Sequence, residues 1–341
     1  MKLKNKTILY IGNNLISKTK YQTTLETLSD LLIDEGYKVY KSSSRINKFL
    51  RLLDMIFSVV KYRKKIDFLL IDTYSTSNFY YALIVSQLAI LFRIKYIPIL
   101  HGGNLPDRLS RSKKLSDKIF NNSYKNIAPS NYLKVEFENK GYKVIFIPNV
   151  ILLKKYDFKE RKELKANLLY VRAFAKFYNP TMAIEVLKEL KNTFNNAKLC
   201  MIGPDKDGTI EKIKQKIKEA GLINDVEITG VLTKKEWHKK SEDYDVFINT
   251  TNIDNTPISV IEAMALGLPV VSTNVGGIPY LIKNNDNGIL VKPNDIDEMV
   301  NGIQKLILDN NFSTEIAKNA RVKVEEFDWE VVKEKWFSVL K

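Results

Sequence analysis

Residues 254–279 read Asp-Asn-Thr-Pro-Ile-Ser-Val-Ile-Glu-Ala-Met-Ala-Leu-Gly-Leu-Pro-Val-Val-Ser-Thr-Asn-Val-Gly-Gly-Ile-Pro, a loop, a helix, a stop and a strand in quick succession. Thr256 suits an N-cap, its hydroxyl accepting from a first-turn amide, and Pro257 suits the first helical position, where no backbone donor is needed. The spacing predicts a helix starting near Pro257 and stopping at Gly267, with a strand over Pro269 to Ser272. Glu262 stands four residues after Ile258 and three before Ala265, on a face shared with apolar side chains. An unpaired buried carboxylate is costly, so Glu262 needs a polar partner: a backbone amide, a lysine or a ligand. The amides of Thr256, Ile258 and Ser259 together with the helix dipole form a ready anion site, flanked at fixed spacing by Asp254 and Glu262. An anion that also carries hydroxyl groups would use both features.

Outward from this stretch, strand and helix alternate along the chain. Thr7 to Ile11, Tyr37 to Tyr40, Phe68 to Asp72, Lys95 to Leu100, Asn126 to Ala128 and Val144 to Ile147 are the strand candidates of a first series. A helix from about Thr23 to Glu35, stopped by Gly36, separates the first two. A second series runs through Leu168 to Val171, Lys198 to Ile202, Val226 to Ile228, Val246 to Ile248 and Pro269 to Ser272. Alternation of this kind predicts an α/β chain with two doubly wound parallel sheets, joined near residues 149–165.

Ligands collect at the carboxyl ends of the strands in such sheets, so the residues there are the candidates. Gly12 follows the first strand and lets a backbone approach a phosphate closely, or simply makes a tight turn. His101, ahead of Gly102-Gly103, follows the strand ending at Leu100 and suits a donor to a phosphate or a sugar hydroxyl, though a lone histidine is more often structural. Arg172 and Lys176 follow the strand Leu168 to Val171, where a planar guanidinium and a mobile ammonium would clamp a diphosphate. His238, within Trp237-His238-Lys239-Lys240, reads as a surface residue. Asp205-Lys206-Asp207-Gly208 is accounted for by turn chemistry alone.

The 254–279 stretch resembles the signature of the retaining glycosyltransferases of family 4, also called group 1, which have the two-domain GT-B fold. That signature runs Glu, seven residues, Glu, with Pro at the fourth position, then Ala-Met-Ala-x-Gly-x-Pro-Val-Val and a Gly-Gly-Ile-Pro loop. Aligned on Pro257, the second acid falls at Glu262 and the first at Asp254, one methylene shorter than usual. The resemblance implies two Rossmann-like domains facing a central cleft. Residues 1–150 would form the acceptor side and 151–326 the nucleotide-sugar side, with 327–341 a helix crossing back to the first domain.

It further implies a sugar contact for Asp254 and a ribose contact for Glu262, with Asn255, Thr256, Pro257, Ile258 and Gly12 completing the donor site. Arg172, Lys176 and His101 would join Asp254 in the chemistry. Besides the shorter first acid, the chain departs from the family elsewhere. Gly12 is followed by Asn13-Asn14 rather than a second glycine, no glycine precedes Arg172, and three residues rather than four separate Arg172 from Lys176.

The implied activity moves a sugar from a nucleoside-diphosphate donor to a glycan or polyprenyl-diphosphate-linked acceptor, with retention and without metal. Surface polysaccharide assembly is the expected setting. The donor is a co-substrate, and no cofactor is expected. No Asp-x-Asp in a metal-binding context appears. An epimerase or phosphorylase on the same fold would convert donor without acceptor or require inorganic phosphate; a catalytically silent binding subunit is the third class.

Charge is unevenly placed. Of the net +15, residues 1–150 hold 25 Lys and Arg against 11 Asp and Glu, and the remainder hold 29 against 28. A field of this sign favours an anionic partner such as a membrane surface or a lipid-linked phosphate. Between Arg45 and Lys65, Phe49, Leu52, Leu53, Ile56, Phe57 and Val60 recur at helical spacing among basic residues. That pattern fits a helix lying on an anionic leaflet, and equally a surface helix turning its apolar side to the core. Nucleic acid is not expected as a partner, since zinc spacings, helix-turn-helix and RNP-type motifs are lacking.

The single cysteine, Cys200, precludes an internal disulfide and sits in an apolar strand pattern. The run after Met1 to Lys6 is too short for a secretory signal. The longest apolar run, Phe79 to Phe92, falls short of the ~20 residues a bilayer requires. A cytoplasmic protein, peripheral on the inner face of the cytoplasmic membrane, is the expectation.

Overall fold

The structure is a computed structural model and is described for residues 6–13 and 23–341. Met1 to Asn5, on which the reading of the amino terminus partly rests, and Asn14 lie outside the described residues. The chain divides into two compact units, residues 1–150 with 327–341, and residues 151–326.

In the first unit, β1 (Thr7–Ile11), β2 (Lys38–Ser42), β3 (Phe68–Thr73), β4 (Lys95–Leu100), β5 (Ile127–Ala128) and β6 (Ile145–Phe146) form one sheet in the order β2-β1-β3-β4-β5-β6. All its pairings are parallel. Every residue of β3 is buried, which is why it reads as a continuous apolar run rather than an alternation. The helix Thr24–Asp34 begins with a capping box between Thr23 and Glu26, and the chain leaves it through Gly36 at φ 92°. The run at Phe79 is the helix Asn78–Leu91, whose Phe79, Ala82, Val85 and Ala89 are fully buried.

The closing helix Trp329–Val339 packs on this unit. Trp329 Nε1 donates to Glu35 at 3.0 Å, and Phe337 stacks on Tyr37 with ring centroids 6.2 Å apart.

The basic amphipathic segment forms the helix Lys48–Tyr62. Met55 and Val59 reach the core, while Phe49, Leu53 and Phe57 are exposed and Leu52, Ile56 and Val60 half-buried. The apolar stripe is therefore too wide to be covered by the core alone. Core packing thus accounts for Met55 and Val59, while Phe49, Leu53 and Phe57 face solvent.

In the second unit, β7 (Asn167–Val171), β8 (Lys198–Ile202), β9 (Val226–Gly230), β10 (Val246–Asn249), β11 (Val270–Thr273) and β12 (Ile289–Val291) form a parallel sheet in the order β12-β11-β10-β7-β8-β9. β12 was not foreseen, because three residues are too few to show a period. Leu168, Tyr170, Leu199, Met201, Val246 and Ile248 supply the sheet side of the core. Cys200 is buried in β8, and burial pushes its thiol up to about 11, which suits a packing role.

Arg161 is an unanticipated clamp. Its guanidinium is spent on the backbone carbonyls of Lys159, Ser241, Tyr244 and Leu266.

Strand order reverses between β1 and β3 in the first unit and between β7 and β10 in the second. In open parallel sheets such a reversal is where ligands bind, at the carboxyl edge. Among the described residues, no helix is long and apolar enough to cross a membrane.

Candidate functional site

In the second unit the loops after β7 and β10 flank the strand-order reversal, and each carries one charged residue of interest. Arg172 leaves β7, held by its amide on Ile202 O at 2.9 Å. A Cβ at Gly203 would fall 2.1 Å from Arg172 O, so only glycine permits this approach. Asp254 lies in the loop after β10. Thr250 Oγ1 donates to Asn179 O at 2.8 Å, and the Asn252 amide to Phe177 O at 2.9 Å, tying that loop to the turn Lys176–Tyr178 that follows β7. Arg172 Nη2 then donates to Asp254 Oδ2, and the Asn255 amide to Asp254 Oδ1 at 2.8 Å.

The Arg172–Asp254 pair is largely shielded from water, Asp254 being 8% exposed. Tyr178 lies beneath the guanidinium, 4.2 Å from ring centroid to Cζ. Burial opposes the charge on Arg172, while Asp254, Tyr178 and Tyr170 more than offset it and hold its pKa above the usual value. Arg172 Nε is buried without a hydrogen-bond partner among the described residues. An anion seated here would find an oriented, permanently charged donor. Lys176 is exposed on the 3-10 turn Lys176–Tyr178, with its backbone amide donating to Asp207 at 3.0 Å. Asp205 and Asp207 are spent on Gly208, Thr209 and that amide, as the turn reading requires.

The helix after this loop runs Ile258–Ala265, one residue later than predicted. Pro257 itself takes the N-cap position, with φ −71° and ψ 116°, and no side chain caps the helix, so Thr256 is not the cap its type suggested. The cause is the extended ψ of Pro257, which moves Thr256 outside the cap. Pro257 O accepts from Val260 at 3.1 Å and Ile261 at 3.3 Å, which leaves the Ile258 and Ser259 amides ahead of the first intrahelical bond.

Gly276-Gly277 has a mechanical task that the sequence did not disclose. The Gly277 amide donates to Asp254 O at 3.1 Å. A Cβ on Gly277 would lie 1.6 Å from Asn255 O, and one on Gly276, at φ 52°, 2.0 Å from Asp254 O. The glycine pair presses the Asp254 loop into position.

Glu262 is 4% exposed and adopts the lysine alternative, with a second donor added. Tyr156 Oη donates to its Oε1 at 2.7 Å, and Lys234 Nζ reaches the same oxygen at 2.7 Å. Burial, and then Glu262, raise the Tyr156 phenol far above its ordinary range, so it stays a donor.

His238 is not a surface residue. It is half-buried, with its ring 4.7 Å from Tyr156 and 4.5 Å from Trp237, and its Nε2 is buried without a partner among the described residues. Burial lowers its pKa, against the pull of Glu262. Tyr156 and Lys234 were missed because they carry no motif and reach Glu262 only through the fold.

In the first unit, Gly12 and His101 come together around a residue that sequence reading passed over, Asp72 at the end of β3. His101 Nε2 meets Asp72 Oδ1 at 2.9 Å, and Tyr10 Oη donates to the same oxygen at 2.9 Å. His101 also stacks on Tyr74, with centroids 4.8 Å apart. A Cβ on Gly12 would stand 2.4 Å from Asp72 Oδ2, so Gly12 makes room for this carboxylate.

Residues 154–323 match the family model described as glycosyl transferases group 1. The chain belongs to the group 1 glycosyl transferases through its second unit. Within that family it is 30% identical over 150 residues to the sulfoquinovosyl transferase SQD2 of Arabidopsis thaliana, covering 43% of this chain and 28% of SQD2. It is 30% identical over 169 residues to WcaL of Escherichia coli K12, a putative colanic acid biosynthesis glycosyltransferase, covering 47% and 41%. The chain thus spans less than half the length of these curated relatives. The crystal structure of Anabaena HepE in complex with UDP-glucose superposes over 98% of this chain and 99% of its own, with TM-score 0.77 and 18% identity. The two parallel sheets of this group 1 chain are those of the GT-B fold.

Proposed function

We propose that this chain transfers a sugar from a nucleoside-diphosphate donor, with retention of configuration and without metal, to a glycan or polyprenyl-diphosphate-linked acceptor in surface polysaccharide assembly. The observation that carries the reading is the Arg172–Asp254 pair, set at the strand-order reversal beside the start of the helix Ile258–Ala265. Group 1 membership supports the transfer chemistry. The UDP-glucose held by HepE supports the donor class, and the likeness to WcaL supports the polysaccharide setting.

As the bond from sugar to diphosphate breaks, negative charge builds on the departing phosphate. Arg172, Lys176 and the amides of Ile258 and Ser259 stabilise it, an effect worth about 3–4 kcal/mol for a well-placed donor. The departing phosphate itself assists front-face attack, so no separate protein base is needed. Asp254, seated by Asn255 and the glycine pair, orients the sugar. Glu262 accepts from the ribose hydroxyls in place of, or beside, Lys234, and Thr256 and Pro257 shape the entry to that subsite. In the first unit, Gly12 and His101 line the acceptor side, in a cytoplasmic enzyme working at the inner face of the cytoplasmic membrane.

The test is a thermal-shift screen with UDP, GDP, ADP and CMP and their sugars. Ligand at about 100 times its Kd adds roughly 2.7 kcal/mol, a shift of a few degrees. A shift with one nucleotide that is lost in Glu262→Ala identifies the donor. The anomeric configuration of the product, read by NMR coupling constants, then tests retention. Stability unmoved by every nucleotide would overturn the donor site.

A further inference from the structure

We propose that the exposed face of the helix Lys48–Tyr62 is a seat for an anionic lipid surface, which assigns a membrane-docking site beyond the transfer reaction. Ile46, Phe49, Leu50, Leu53 and Phe57 are each between 46% and 68% exposed. Phe49, Leu53 and Phe57 recur every four residues with Leu50 beside them, so the four form one stripe along the helix, and Ile46 lies just ahead of its first turn. Isolated exposed apolar residues need no explanation, but an aligned stripe of large ones does.

The stripe is not a frayed edge. The opposite side of the helix is anchored by Met55 and Val59 in the core and by Ser58, whose hydroxyl donates to Ser42 Oγ at 3.0 Å. Arg51, itself turned inward, donates to Arg45 O, Ile46 O and Asn13 Oδ1 and so fixes the lead-in to the helix. Asn47 caps the first turn through Phe49 and Leu50. The five apolar side chains are held outward by a rigid scaffold.

Charge selects the occupant. Arg45 and Lys48 flank the stripe at one end, and Lys61, Arg63, Lys64 and Lys65 at the other, all exposed. The sole acid between Arg45 and Lys65 is Asp54, which accepts from Ser42 Oγ at 3.4 Å rather than facing the stripe's solvent side. A helix lying in the plane of a leaflet would sink Phe49, Leu53 and Phe57 among acyl chains while both basic ends reach lipid phosphates. A second copy of the chain would bring the same positive field against itself, so an anionic leaflet is favoured over self-association.

The experiment is co-sedimentation of the full chain with vesicles of phosphatidylglycerol and phosphatidylcholine, against vesicles of phosphatidylcholine alone. Binding is expected on the anionic vesicles and should weaken with salt. The double substitution Phe49→Ser, Phe57→Ser should reduce it by about tenfold or more, since two large side chains no longer leave water. Lys61→Gln, Lys64→Gln, Lys65→Gln should reduce it independently. Unchanged thermal unfolding of each variant shows that the fold is retained, as expected for exposed positions.

Three results would overturn the proposal. One is failure to bind anionic vesicles at low salt. Another is binding that the Phe substitutions leave unchanged, which would make the contact purely electrostatic. The third is a concentration-dependent dimer, seen by sedimentation velocity and abolished by the same Phe substitutions, with no vesicle binding; that would assign the face to a second copy.

Discussion

Tyr156 and Glu262 are 106 residues apart in sequence, yet the Tyr156 hydroxyl donates to Glu262 Oε1 at 2.7 Å in a buried setting. The tyrosine lies just beyond the join between the two strand series, and the acid in the middle of the signature helix. Tyr156→Phe removes one donor from a buried carboxylate and should cost about 1–3 kcal/mol of stability, read by urea unfolding. Glu262→Gln should weaken nucleotide binding with a smaller effect on stability, and calorimetric titration separates the two. Donor affinity unchanged in Glu262→Gln would remove the ribose role.

Arg172→Lys keeps the charge but loses the planar fork that meets Asp254. Turnover should fall by roughly 100-fold or more, with donor affinity less affected, since the lost interaction belongs to the developing phosphate charge. Asp254→Ala should also lower the turnover number, and an unchanged value would exclude a sugar-orienting role.

Gly277→Ala tests positioning without touching any charged group. Its new methyl would lie 1.6 Å from Asn255 O, so the Asp254 loop must move. Nucleotide affinity and turnover should both fall, with a loss of stability of about 1–3 kcal/mol from overpacking. Wild-type kinetics in this variant would show that the loop tolerates displacement.

His238 gives a pH dependence of definite sign. Burial holds its pKa below the ordinary value of 6.5. The unfolded chain therefore binds a proton more readily than the folded one, and the stability present above about pH 6.5 is lost as pH falls through the lower folded value. Melting curves across this range should show a drop in Tm that is smaller in His238→Gln. Parallel curves for the two proteins would contradict the assignment.

Asp72 should matter in the first unit as a partner rather than a reactant. Asp72→Leu strands Tyr10 and His101, which share Oδ1, and should destabilise by about 2–4 kcal/mol. Asp72→Asn keeps an acceptor but not the charge. Turnover should drop in it with donor affinity unchanged, if His101 serves the acceptor side. The split between turnover and donor affinity is the readout that a merely structural role would not produce.

Local signals set the elements of this chain. β4 and β8 occupy the residues their apolar runs predict, and the helix Thr24–Asp34 starts at the capping box and stops at the glycine the sequence announces. Periodicity, caps and glycines act over a few residues, so they are visible in one dimension. The signature stretch likewise located Asp254 in its loop and Glu262 within the helix that follows, because their spacing is a property of a single loop and helix.

Tertiary structure decided everything that depends on convergence. Asp72 came to Tyr10 and His101, and Arg172 to Asp254, because parallel strands bring residues tens of positions apart to one carboxyl edge, while Tyr156 and Lys234 came to Glu262 through the packing of the segment before β7 and the helix after β9. The amphipathic helix shows the same limit. Its sequence defined an apolar stripe, but whether core or solvent lay against Phe49 and Phe57 depended on which side Met55 and Val59 anchored. Composition specifies what a side chain can bury; the packing of the neighbouring elements determines which ones are left uncovered.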